Sequence, residues 1–295
     1  MGGAVNAVLD PILIFGLDLE LTGAALASVA ARLTIAGVSL LPIIKHYGGF
    51  VKPDTRDLML DLRPVFALAF PAILTQLATP IGQAYVTRAM AEYGEAAVAG
   101  MAIVGRLTPI AFGVIFALSG AVGPIIGQNF GAGQHDRVRG GFKAGITFVG
   151  IFVVFMTILL YFLRAPIADL FTADGITREL VYLFCGPLAL VFFFNGLLFV
   201  ANASFNNLGH PYYSTWLNWG RHTIGTIPLV ILGALWFGAP GVLIGQAIGG
   251  VIFGSLSVVL AWRVMNKVEN EATRVPEPEP FAREARHLHQ TSWKR

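Results

Sequence analysis

Asp10 is the residue whose surroundings most demand a chemical explanation. Of the 17 Asp and Glu residues, it alone stands inside one of the chain's long apolar runs, Val5 to Leu17. A charge at the centre of a bilayer costs roughly 2.5–3.5 kcal/mol on insertion scales, so an acid in such a place is a functional candidate by default. Asn6, four residues earlier, falls on the same helical face. Pro11 has no N–H to offer the carbonyl of Ala7. Carboxylate, amide oxygen and freed carbonyl form a hard-oxygen cluster suited to Na⁺ or a shared proton, and Ser28 on the next apolar run can add a hydroxyl. The competing account is an acid at a helix end near the interface.

Two polar stripes come next. Gln76, Thr79 and Gln83 recur at i, i+3 and i+7, and Asn195 and Asn202 at i, i+7 among Phe192, Phe193, Phe194 and Phe199. Facing a cavity they would contact a substrate; facing a neighbouring helix they would form interhelical hydrogen bonds, worth about 0.6 kcal/mol each on average. Both readings stand at this point. Enzyme chemistry finds no footing. The histidines (46, 135, 210, 222, 287 and 289) form no His-Glu-x-x-His pair, the single Cys185 has no adjacent His, and no paired acids occur within the apolar runs. The glycines from Gly127 to Gly133 lack the Lys-Ser/Thr of a phosphate loop.

What must position these residues is a set of membrane helices. The 295 residues (31.6 kDa) are 55% hydrophobic and 13% charged, with mean hydropathy +0.69, against roughly 25% charged for a soluble domain. Disordered, collagen-like and disulfide-framework classes fail on the same apolar content and on the lone cysteine. Runs long enough to cross a bilayer, roughly 20 residues each, number eight if the short first one is admitted. They are Val5–Leu17, Thr22–Ile44, Pro64–Met90, Ala96–Gln128, Phe142–Leu163, Leu180–Phe205, Tyr212–Phe237 and Gly241–Val264. Arg32, Arg106 and Arg221 read as residues near helix ends or bonded to loop carbonyls, without a transport role. The charged stretch 45–63 reads as a linker, and 266–295, with Pro276, Pro278 and Pro280 alternating with Glu277 and Glu279, as a disordered tail.

A net charge of +3 and pI of 9.1 do not point to nucleic acid, because the basic residues cluster at the ends of the runs. Lys45, Lys52, Arg137, Arg139, Lys143 and the basic tail fall on one side when eight spans are threaded, and Asp18, Glu20, Glu92, Glu95, Asp169 and Asp174 on the other. The basic side is then cytoplasmic. There is also an internal echo. Pro11-Ile-Leu-Ile-Phe-Gly16 followed by Gly23, and Pro228-Leu-Val-Ile-Leu-Gly233 followed by Gly241, have Pro-to-Gly distances of 12 and 13 residues (23 − 11 and 241 − 228). The second echo begins six spans after the first, which implies two parallel six-helix repeats. The chain is thus expected to be an all-α polytopic membrane protein of about eight transmembrane helices. They are the last two helices of one six-helix repeat (1–44) and all six of the second (64–265), with four helices of the first repeat absent. Glycines 241, 245 and 249 give small-xxx-small spacing, which predicts close helix packing.

In several segments the sequence resembles the multidrug and toxic compound extrusion (MATE) transporters. Asn6-Ala-Val-Leu-Asp10-Pro-Ile-Leu-Ile-Phe-Gly with Gly23-Ala-Ala-Leu-Ala-Ser28 is similar to their fifth and sixth helices, and Phe70-Pro71-Ala-Ile-Leu to their seventh. Pro124-Ile-Ile-Gly127-Gln-Asn-Phe-Gly131-Ala-Gly133 resembles the end of their eighth helix, and Asn207-Leu-Gly209-His-Pro211 the loop after their tenth. The resemblance implies twelve helices in two lobes, and export of organic cations or amphiphilic drugs by alternating access against H⁺ or Na⁺, with no other cofactor. It further implies a cation-coupling site at Asn6, Asp10 and the Ser28 position, with any Na⁺ held by Asn6 and Asp10 and a further Asp from a first helix absent here. Gln76, Thr79, Gln83, Asn195, Phe199 and Asn202 become candidates for the substrate cavity. Some members carry a Glu on the seventh helix and an Asp on the tenth. Here Thr79 stands at the first position and no acid occurs from Leu180 to Phe205, which favours the branch of DNA-damage-inducible protein F. The implied setting is the bacterial inner membrane, with the lipid bilayer and small amphiphiles as partners, no nucleic acid, and a monomer at full length. An inactive or structural fragment, or a flippase of lipid-linked substrates, is the alternative.

Overall fold

The computed structural model describes residues 2–47, 49 and 55–272, and no strand occurs among them. The chain divides into two compact units, 1–62 and 63–295.

In the first unit, α1 (Gly2–Gly16) and α2 (Glu20–Tyr47) are joined by the short link 17–19. Directly after Pro11 the helix widens into a π-helical turn over Ile12–Gly16. Proline removes one N–H from the hydrogen-bond ladder, and a wider turn restores the ladder one residue later. Gly23, Ala27 and Ala31 form a buried stripe along α2. A Cβ at Gly23 would sit 2.7 Å from the carbonyl carbon and oxygen of Leu13, so the two helices pack backbone to backbone.

The second unit is an up-and-down bundle. Helix α3 (Thr55–Ala91) enters it at Arg63, followed by α4 (Glu95–Gly131), α5 (His135–Leu170) and α6 (Gly175–Asn207). From Pro211 the chain is helical to the end of the described residues, far too long for one crossing. The run breaks at Gly238 (φ 63°, ψ −140°), a conformation that side chains rarely adopt. It therefore forms two helices, α7 (211–237) and α8 (239–272), folded into a hairpin. Gly241, Gly245 and Gly249 of α8 lie against the backbone of Gly233, Leu229 and Gly225 of α7 in an antiparallel register. The expected small-residue stripe is thus the hairpin's contact seam. Tyr93 closes the turn by donating its hydroxyl to the Ala234 carbonyl at 3.0 Å.

Helices α4 and α5, with 37 and 36 residues, are about 55 Å long and overshoot a hydrocarbon core of about 30 Å. Hydropathy therefore marked only the inner part of α5, and the helix begins seven residues before Phe142, within the charged segment of Asp136, Arg137 and Arg139. Likewise α8 is helical to Ala272, past the expected boundary at 266. Residues 273–295 of the expected tail, and 48 and 50–54 of the expected linker, lie outside the described residues. The core of the unit is built on Phe112, Ile115, Phe142, Val149, Leu198 and Phe205. The outer faces carry large apolar residues in the open, such as Ile110 (80% exposed) and Phe162 (75%). A surface of that kind is stable only against lipid or another apolar partner.

Candidate functional site

The first candidate lies in the two-helix unit. Asn6 donates from Nδ2 to Oδ2 of Asp10 at 3.0 Å, so the helical i, i+4 pair is formed. The other carboxylate oxygen, Oδ1, is buried and has no hydrogen-bond partner among the described residues. A carboxylate accepts several hydrogen bonds when charged, and a buried bare oxygen is costly unless a cation or proton answers it. Ser28 is exposed and hydrogen-bonds to neither residue. The structure thus brings Asn6 and Asp10 together and does not join Ser28 to them.

The second candidate lies wholly in the six-helix unit. Two adjoining cavities of about 440 and 480 Å³ share Thr79, Phe116, Phe199 and Asn218 in their walls. Volumes of this order suit a small organic molecule. Gln83 and Asn195 line the first, Gln76 and Asn202 the second, so both polar stripes converge on one space. Of the two readings open at the sequence, cavity lining accounts for most of these groups. Among the described residues, Asn195 and Asn202 each leave Oδ1 buried without a partner, and of the stripe residues only Gln83 engages a neighbouring helix, accepting from Gln246 Nε2 at 3.2 Å. Aromatic rings stiffen the wall. Phe192 stacks on Phe112 with centroids 4.1 Å apart, and Phe116 meets Phe192 and Phe199 edge-on.

Local backbone features explain how the wall is held. Thr75 and Thr215 hydroxyls lie 3.1 Å apart and both donate to the Pro71 carbonyl, while Trp219 Nε1 donates to the Leu74 carbonyl at 2.9 Å. These bonds fasten α7 to α3. Gly186, with φ −107° and ψ −111°, and Pro187 kink α6 between the cavity-lining Phe184 and Leu188. A π-helical turn over Arg221–Gly225 interrupts α7, a distortion that recurs at functional sites.

That turn carries the residues the sequence reading missed. Arg221 and His222 line the first cavity, in the middle of a membrane-crossing run. The expectation that Arg221 sits near a helix end or bonds a loop carbonyl is corrected: it makes no side-chain hydrogen bond or ion pair among the described residues. Its own carbonyl is instead taken by the Thr226 hydroxyl at 2.8 Å. His222 is buried, with both ring nitrogens lacking partners. A signal was available, since the same cost that singles out Asp10 applies to an arginine.

Two of the motifs quoted for the resemblance are packing elements. Asn207 seats its amide over Gly123 and Gly127, where a Cβ would come within 3.0 and 2.8 Å of it. Gly-Gln-Asn and Asn-Leu-Gly therefore lock α4 to the end of α6.

Comparison with known proteins agrees with this architecture. The MatE family model matches residues 71–232. The FAD transporter of Shewanella oneidensis is 29% identical over 278 residues, covering 91% of this chain and 61% of that protein. The multidrug export protein MepA of Staphylococcus haemolyticus is 26% identical over 268 residues, covering 90% and 58%. Among solved structures, a mutant of the Vibrio cholerae MATE transporter VcmN superimposes with a TM-score of 0.80 at 25% identity, covering 92% of this chain and 61% of that one. The chain spans about three fifths of the length of the curated relatives it matches.

Proposed function

The chain belongs to the MatE family, and from that premise we propose that it forms the larger part of a secondary active exporter of small amphiphilic organic molecules, not an enzyme. The observation that carries this reading is the convergence of Gln76, Thr79, Gln83, Asn195 and Asn202 with Phe116 and Phe199 on one space inside the six-helix unit. Aromatic walls give affinity with little shape demand, and a few amides orient the ligand. The relative described as an FAD transporter supports a substrate with a flat aromatic body, and the one described as a multidrug export protein supports export of drugs.

Asp10 and Asn6 form the coupling pair. The bare Oδ1 of Asp10 supplies a place for H⁺ or Na⁺, and Asn6 holds the carboxylate on one side. Loading neutralises a charge that is costly at membrane depth and sits one residue before the proline and π-helical turn of α1, where a helix bends readily. The loaded and empty states then favour different bends, and alternating access follows. Basic helix ends face the cytoplasm of the bacterial inner membrane. The test is transport by the complete protein in proteoliposomes, with FAD and ethidium as separate probes, under imposed H⁺ or Na⁺ gradients. Gradient-dependent movement of either probe is expected; movement of neither under either gradient would overturn the proposal.

A further inference from the structure

We propose that the cavity of the six-helix unit is a binding site for an aromatic organic anion, with Arg221 as the charge partner of its phosphate, sulfonate or carboxylate group. This rests on the reading of the chain as a transporter and names the class of ligand that its cavity takes.

The charge inventory carries the argument. Arg221 lines the 440 Å³ cavity, and no Asp or Glu does. Among the described residues the acids of this unit stand at helix ends or in turns: Glu92, Glu95, Asp136, Asp169, Asp174, Glu179, Glu269 and Glu271. Three of them are engaged elsewhere, Asp169 with Arg178, and Asp136 and Glu269 with Arg139. A guanidinium is always protonated and offers five donors in a rigid fork matched to an oxyanion. A guanidinium at membrane depth with no acid beside it and no hydrogen bond among the described residues is an uncompensated charge. An incoming anion supplies what is missing, whereas an organic cation meets uncompensated like charge.

The neighbouring groups fit an oxyanion as well. His222 adds two unpartnered ring nitrogens, one of which carries a proton in either neutral tautomer. The Asn195 amide, its Oδ1 unpartnered, reaches toward Gly250, beside which Arg221 Nε also lies. An amide can turn to present its NH₂ as a second donor. Phe116, Phe192 and Phe199 line the same cavity and present ring faces and edges for a planar body. A guanidinium and an aromatic wall in one cavity describe a site for an aromatic anion.

The test uses the full chain in nanodiscs of uncharged (zwitterionic) lipid and three probes of similar size: 1-naphthyl phosphate, 1-naphthol and 1-naphthylmethylammonium. Equilibrium dialysis reads binding, and a thermal melt reads folding. Naphthyl phosphate should bind at least about tenfold more tightly than the other two, as a charge-assisted bidentate contact requires. Arg221→Gln should erase that preference without lowering the melting temperature, since it removes an uncompensated charge, and Arg221→Lys should keep part of the preference. Equal binding of all three probes, tighter binding of the ammonium, or an undiminished phosphate preference in Arg221→Gln would each overturn the proposal. So would a lowered melting temperature in Arg221→Gln with the preference intact, which is the signature of a structural arginine. Because binding is read without a gradient, a complete protein that fails to transport would sink the exporter reading and leave this result standing.

Discussion

At the residue scale two charges inside membrane-crossing runs stand out, Asp10 in the first unit and Arg221 in the second. Each is a side chain whose burial is unexplained by its own partners: one oxygen of Asp10 is satisfied by Asn6 and one is bare, and Arg221 is satisfied by nothing among the described residues. The coupling role proposed for Asp10 predicts that Asp10→Asn in the complete protein abolishes gradient-driven efflux. The variant keeps the size and the capacity to bond Asn6, so insertion and probe binding should persist. Efflux equal to wild type under the same gradient, measured in proteoliposomes, would remove Asp10 from the coupling role. Thr79→Ala, in the cavity wall shared by both chambers, should alter the ranking of transported probes and leave the ion dependence unchanged. Asp10 was legible in the sequence because a lone acid in an apolar run is visible without a structure. Arg221 was passed over because its helix is interrupted by the π-helical turn, and sequence spacing alone does not say which way such a turn aims its side chains.

At the scale of elements, the internal echo resolves into a pair of hairpins built alike. Helices α1 and α2 pack along Gly23, Ala27 and Ala31, and α7 and α8 along Gly241, Gly245 and Gly249. Four-residue spacing of small side chains puts them on one stripe, which lets helix backbones touch where lipid offers no hydrophobic drive for association. The proline that opens each hairpin echo, Pro11 or Pro228, lies on the helix that receives the stripe. This was readable from the Pro-to-Gly spacing, and so was the place of the α7–α8 break, between the spans ending at Phe237 and beginning at Gly241; what the sequence did not show is that the reversal depends on one positive φ, at Gly238. Gly245→Leu should force the hairpin apart, since any Cβ there overlaps the Leu229 carbonyl. Overpacking of this kind costs about 1–3 kcal/mol, and the purified protein should melt several degrees lower. Gly113→Ala, at a position with nothing within 4 Å of the added methyl, should melt no lower than wild type. Equal melting of the two variants would mean that the seam is not a determinant of stability.

At the scale of the whole molecule, the six-helix unit has two chemically distinct ends. At one, Arg139 pairs with Glu269 and also donates to Asn266 Oδ1 at 3.0 Å, fastening the start of α5 to the end of α8. Both segments must therefore lie at the same end, as an even number of crossings between them requires. Arg137 and Lys143 lie in the same stretch of α5. The opposite end holds Glu92, Asp169 and Asp174, with Arg164 stacked on Tyr161 at 4.1 Å and Arg178 paired with Asp169 at 3.2 Å. Tyr161, Tyr182, Tyr93 and Trp236 gather there, as amphipathic rings do at an interface. The basic residues Arg137, Arg139 and Lys143 at the first end predict that it faces the cytoplasm. The Asp136 side chain is fully exposed at that end and Asp174 is exposed at the other, so the pair forms a direct probe. In a background with Cys185→Ser, Asp174→Cys should react with an impermeant maleimide added to intact cells. Asp136→Cys should react only after the membrane is opened. Labelling of Asp136→Cys in intact cells would invert the topology, and with it the direction in which the Asp10 site meets the gradient. An export cycle would then have to be read as uptake.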